Sequence, residues 1–69
     1  MDRNKLLYFI KDRGYRIDDF CKAIKMGKAS FYKYCANDTF KVKHIRTIAK
    51  VLNLTQEDVD SIFFVDLVS

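Results

Sequence analysis

Lys28, Ser30, Tyr32 and Lys33 follow one another closely enough to share the outer side of one helix, where they offer two ammonium groups and two hydroxyls. Such groups bind a polyanion; they do not break bonds. The wider charge pattern points the same way. All thirteen Lys and Arg lie between Arg3 and Lys50, and residues 1–50 carry five acids, a net +8, while residues 51–69 hold four acids and no base, a net −4. A basic part facing a polyanion and an acidic part turned away accounts for this polarity. A solvated, lysine-rich surface is the competing account of charge alone. An enzyme is not expected: no nucleophile is paired with a base, and 69 residues are too few to enclose a pocket. His44, beside Lys43, has no Cys or His at metal-ligand spacing, so no metal and no cofactor are expected. Cys21 and Cys35 both fall on apolar stripes. They are expected to be buried, inert thiols, with a redox switch as the less favoured alternative.

These side chains need helices to hold them, and five amphipathic segments can be read. The first runs from about Arg3 to Arg13, with Leu6, Phe9, Ile10 and Arg13 at helical spacing and Gly14 as a left-handed stop. The second, Ile17 to Ile24, places Ile17, Phe20, Cys21 and Ile24 on one stripe and Asp18 and Asp19 in a first turn that favours anions. A third starts near Lys28, with Gly27 as N-cap and Phe31, Tyr34 and Cys35 turned inward. The fourth spans Val42 to Leu52, repeating Val42, Ile45, Ile48, Ala49 and Leu52, with Asn53 as its stop. Thr55 then caps a fifth helix, with Asp58 completing an acidic capping box ahead of Val59, Ile62 and Phe63. After Phe64 a last helical turn, a short extended strand and a segment covered by a partner all remain open.

The second and third helices, joined by Lys25-Met26-Gly27 and basic on the outer side, have the layout of a helix-turn-helix. Cys21 fills the small position where the two axes approach. Phe20, Ile24, Met26, Phe31 and Tyr34 fill the apolar positions around it. The stretch Gly14 to Phe64 resembles the Cro/cI-type helix-turn-helix domain of phage repressors and related bacterial regulators. Asp18-Asp19-Phe20-Cys21 is similar to the family's Glu-Glu-Leu-Ala, and Lys28-Ala29-Ser30-Phe31-Tyr32-Lys33-Tyr34 to its Arg-x-Thr-Ile-Ser-Arg-Ile. A second block, Ile45-Arg46-Thr47-Ile48-Ala49-Lys50-Val51-Leu52-Asn53-Leu54-Thr55, is similar to its Leu-x-x-Ile-Ala-Lys-Ala-Leu-Gly-Val-Ser, and two blocks at the right separation make the match specific. The resemblance implies an all-α, five-helix lambda-repressor-like domain with its helix-turn-helix at the second and third helices, with a short extended C-terminal tail as one of the open readings of its end. Two departures stand out. Lys25 occupies the family's turn glycine, so either it goes left-handed at about 1 kcal/mol or the turn is rebuilt around Gly27. Arg16 and Ile17 replace a Ser or Thr cap and a phosphate-reaching Gln; Ile17 cannot make that contact, although Arg16 could.

By the same resemblance Lys28, Ala29, Ser30, Tyr32 and Lys33 read base edges. The chemistry agrees: Lys donates to guanine O6 and N7, and Ala can touch a thymine methyl. Arg16, Asn37, Lys41, Lys43 and Arg46 stand where the family contacts phosphate, which fixes register without reading sequence. Ordinary surface charge is the alternative for each.

A single domain over residues 1–69 is expected, acting as a transcriptional regulator without a separate effector domain. It is expected to bind double-stranded DNA as a homodimer, through the candidate dimerisation tail 62–69 and its residues Ile62, Phe63, Phe64, Val65 and Leu67, which exceed what one small core needs. The alternative for the tail is that it folds over its own core. Rival functions are a protein-interaction module, such as an antirepressor or antitoxin-like partner, and RNA binding, for which no aromatic stacking platform is evident. No small-molecule ligand is expected. Two cysteines, a charged start and no run of about 18 apolar residues lead to the expectation of a reducing, cytoplasmic setting and no membrane span.

Overall fold

Asp2 opens the first helix: its Oδ1 accepts the Lys5 N–H at 3.0 Å, and α1 runs Arg3–Asp12. The computed structural model describes residues 1–67; the side chain of Leu67 and residues 68–69 lie outside the described part. The order continues with α2 (Ile17–Ala23), α3 (Lys28–Asn37), α4 (Val42–Leu52), α5 (Gln56–Phe63) and a 3₁₀ turn over Val65–Leu67, with no strand among the described residues. The expected all-α architecture of five helices is therefore the one observed.

Four helices end alike, on a residue with left-handed backbone: Gly14 (φ +84°) after α1, Lys25 (+56°) after α2, Asp38 (+54°) after α3 and Asn53 (+53°) after α4. In each case the next N–H reaches back to the last helical turn: Tyr15 to Ile10 O, Met26 to Cys21 O, Thr39 to Tyr34 O and Leu54 to Ala49 O, at 2.8–3.2 Å. This is the Schellman closure, which satisfies carbonyls that a helix end would otherwise leave unpaired. Of the two alternatives for the turn, Lys25 takes the left-handed conformation, while Gly27 stays at φ −66° as the N-cap of α3. α1 and α2 each stop one residue short of their expected ends, because Arg13 and Ile24 serve as C-caps.

The core is built from every helix: Leu6 and Ile10 of α1, Phe20 and Cys21 of α2, Phe31 and Cys35 of α3, Ile48 and Leu52 of α4 and Ile62 of α5, with Ile24 beside them. Aromatic edges knit it. Phe20 meets Phe31 at 5.7 Å between ring centroids, Phe31 meets Phe40 at 6.0 Å, and Phe40 meets Phe63 at 5.9 Å. Two long-range hydrogen bonds clamp the ends together, Asp2 N–H to Ile62 O at 2.7 Å and Arg13 Nε–H to Leu52 O at 2.9 Å.

Three expectations are corrected. Val42, taken as the first inward position of the fourth helix, is 64% exposed, because the first helical residue precedes the turn that lies on the core. Ile62, taken as a dimer contact, is fully buried in the chain's own core, and Phe63 packs against that core. Of the readings left open after Phe64, the extended tail is not found among the described residues and the helical turn is: a 3₁₀ turn over Val65–Leu67 follows the C-cap Phe64, with Phe64 half-buried and Val65 41% exposed. The Leu67 side chain, also expected in the interface, is outside the described part.

Candidate nucleic-acid interface

α3 separates its faces cleanly. Phe31 and Cys35 are buried and Tyr34 is half-buried, while Lys28, Ala29, Ser30, Tyr32 and Lys33 are all exposed. The helical period accounts for most of this: residues 31 and 35 share one side and 29, 32 and 33 turn away from it, while Lys28, three residues before Phe31, is exposed as the first residue of the helix. α2 holds α3 from behind through Phe20 and Cys21, and the closed turn at Lys25 fixes the approach.

The five candidate base-reading residues thus lie together on one exposed surface. Lys28 at its N-terminal edge is not free. Its Nζ lies 2.9 Å from Oδ1 of Asp18, in the first turn of α2. Hydrogen bonding and charge from Lys28 hold the Asp18 carboxyl below its ordinary value, and Asp18 raises the Lys28 ammonium in return. Both side chains are exposed, so the pair contributes little to stability. Tyr32 borders an open groove of about 450 Å³ with Leu7, Ile10, Lys11, Tyr15, Arg16 and Ile17. Arg16, at the N-cap of α2, and Tyr32, on α3, both line that groove. Ile17 packs against the core, in keeping with its inability to replace a phosphate-reaching Gln.

Among the candidate phosphate contacts, Asn37 ends α3, Lys41 caps α4, and Lys43 and Arg46 are on its outer stripe with Thr47 and Lys50; all are exposed. Arg16, Lys33, Lys41, Lys43 and Arg46 have no carboxylate within ion-pair distance among the described residues, in contrast to Lys28. Exposed cations without an ion-pair partner attract polyanions. Lys25 and Lys50 flank a separate groove, closed by Ala23, Ile24, Thr47 and Val51.

Sequence reasoning missed two local devices. His44 is half-buried and caps α4: its Nδ1 accepts the Lys41 N–H at 3.2 Å while its ring packs, tilted, against Tyr34 with centroids 4.9 Å apart. An acceptor three residues after the N-cap is the same signal that revealed Thr55 and Asp58, and it stands in the sequence at Lys41 and His44. Burial, then the charges of Lys43 and Lys41, push the His44 imidazole below its ordinary 6.5. The second device is Asp18, read only as a helix-dipole acid. Nothing local marks it as the partner of Lys28, ten positions on. Tyr34, expected to turn inward, is half-buried, and the two thiols expected to be buried are buried. Burial raises the Cys21 thiol and pushes Cys35 up to about 11, so both are neutral near pH 7.

Among the described residues no group of His, Cys, Asp and Glu is placed to hold a metal ion, and no helix is long and apolar enough to cross a membrane. A family model described as the Cro/C1-type HTH DNA-binding domain matches residues 5–61, most of the chain. No curated protein and no solved structure gives a significant match.

Proposed function

From the premise that the chain belongs to the Cro/C1-type helix-turn-helix DNA-binding domain family, we propose that it is a sequence-specific, double-stranded-DNA-binding transcriptional regulator. α3 enters the major groove, with Lys28, Ala29, Ser30, Tyr32 and Lys33 at base edges and Arg16, Asn37, Lys41, Lys43 and Arg46 on phosphates. The observation that carries this is the surface of α3: the buried side of that helix is wholly apolar, and its exposed side carries cations, hydroxyls and one small residue at the N-terminal end. At the start of α4 the Val42 and Lys43 amides have no backbone partner among the described residues, and helix N-termini favour phosphate.

One small domain makes few contacts, so specific affinity calls for two copies on a palindromic site with half-site centres about 34 Å apart. The surface for that pairing, with Ile62 removed from it, is the exposed Val65 with the half-buried Phe63 and Phe64. The family is typically non-enzymatic, which fits a protein that acts by occupying operators in the cytoplasm.

Titration of fluorescent random duplex DNA over a series of salt concentrations tests the binding. With Arg16, Lys41, Lys43 and Arg46 on phosphates, log affinity falls against log salt with a slope of about −3.5. A flat response contradicts DNA binding and leaves the protein-interaction reading, which draws on the apolar groove beside Tyr32.

A further inference from the structure

The ion pair that reaches the base-reading surface joins two helices, Asp18 in the first turn of α2 and Lys28 at the first position of α3, at 2.9 Å. A lone lysine at such an edge is a flexible point charge that any phosphate can capture, and a phosphate contact carries no sequence information. A carboxylate on the same ammonium alters both properties. The pair is neutral as a unit, so it releases few counterions on meeting the backbone, and Asp18 itself repels phosphate. An ammonium has three N–H donors, and Asp18 uses one of them. The others stay available to paired acceptors on a base edge, such as guanine O6 and N7.

We propose that Asp18 is a specificity-determining positioning residue: it withholds Lys28 from the phosphate backbone and presents the ammonium to the acceptor edge of a base pair. The effect is selectivity more than affinity. Binding to arbitrary DNA is weakened, while binding to a site with the right acceptors keeps the lysine's hydrogen bonds. The lowered carboxyl and raised ammonium keep both partners ionised through the neutral range, so the device works without a pH trigger. The inference rests on the DNA-binding function proposed above.

Asp19 supplies the control. It lies beside Asp18 in the same helical turn, is exposed, and makes no ion pair among the described residues. The variants Asp18→Asn and Asp19→Asn therefore remove the same charge from the same turn, and only the first breaks the pair. Each is titrated, with the unaltered protein, against a random duplex and a duplex selected from random sequence by the unaltered protein. Asp18→Asn is expected to tighten random-duplex binding about threefold, with a steeper salt slope. It should also cut the ratio of selected to random affinity about fivefold, flattening the preference at one base pair. Asp19→Asn should shift both duplexes alike and keep the ratio. In a Lys28→Met background, Asp18→Asn should no longer change the ratio. Equal behaviour of the two Asn variants, with base preference intact, overturns the role of Asp18 and leaves DNA binding standing. An unaltered protein that binds neither duplex overturns the DNA-binding function and this role with it.

Discussion

Lys25 and His44 show how single residues carry local strain and local charge. Lys25 holds a left-handed backbone at φ +56° in the turn that aims α3, a position where a β-carbon is penalised and where Asp38 and Asn53 at their own turns belong to better tolerated types. Lys25→Gly is expected to raise the unfolding free energy by about 0.5–1 kcal/mol, since relief of strain outweighs the added freedom of the unfolded chain. A shift of the urea midpoint with unchanged slope is the measurement, and a lowered midpoint contradicts the account. His44 is an acceptor at Nδ1 for the Lys41 N–H, a role that a protonated ring cannot fill. Its folded value lies below the ordinary 6.5, so folding favours the neutral ring. The stability this provides is fully present above 6.5 and is lost as pH falls through the lowered folded value. The urea midpoint should therefore drop between pH 7.5 and 5, and less so in His44→Gln; an equal drop in both proteins would count against the cap. Asp18 is also lowered, but from 3.8, so its contribution disappears at more acid pH. The Asp18–Lys28 contact was not legible in the sequence, because it depends on how two helices cross rather than on the spacing within either.

Element boundaries were legible where a period and a stop coincide. α4 runs Val42–Leu52 as its repeat and Asn53 foretell, and α5 opens on Thr55, whose hydroxyl accepts the Asp58 N–H at 3.1 Å while Asp58 accepts the Thr55 N–H at 3.0 Å. Thr55→Ala should cost about 1 kcal/mol, seen as a lower thermal midpoint. The C-terminal end was less legible, because a run of apolar residues does not say whether it covers its own core or a partner's. Ile62 settles on its own core, where it lies fully buried and its carbonyl accepts the Asp2 N–H. Ile62→Ala should cost about 2–5 kcal/mol, the range for a truncated core side chain. That loss should appear in a monomeric sample as fully as in a concentrated one; recovery at high concentration would return Ile62 to an interface.

For the whole molecule, charge polarity is the property that the sequence displays most plainly and the fold makes useful. The cations of α3 and the start of α4 are exposed, and the acids of the last nineteen residues include Glu57 and Asp58 in the first turn of α5, so the acidic end is spent partly on a helix start. The small size of the domain makes pairing the natural route to specificity. Val65→Asp, at an exposed position, should leave stability within about 0.5 kcal/mol while lowering self-association in sedimentation. An unchanged dimer would move the interface elsewhere. Sequence-specific reading of DNA by α3 is tested most directly by selecting bound fragments from a pool of random duplexes. The protein is expected to enrich a site of two inverted half-sites with centres about 34 Å apart, and Lys28→Met to lose the preference at one position in each half. Bound fragments no different in sequence from the starting pool would contradict it.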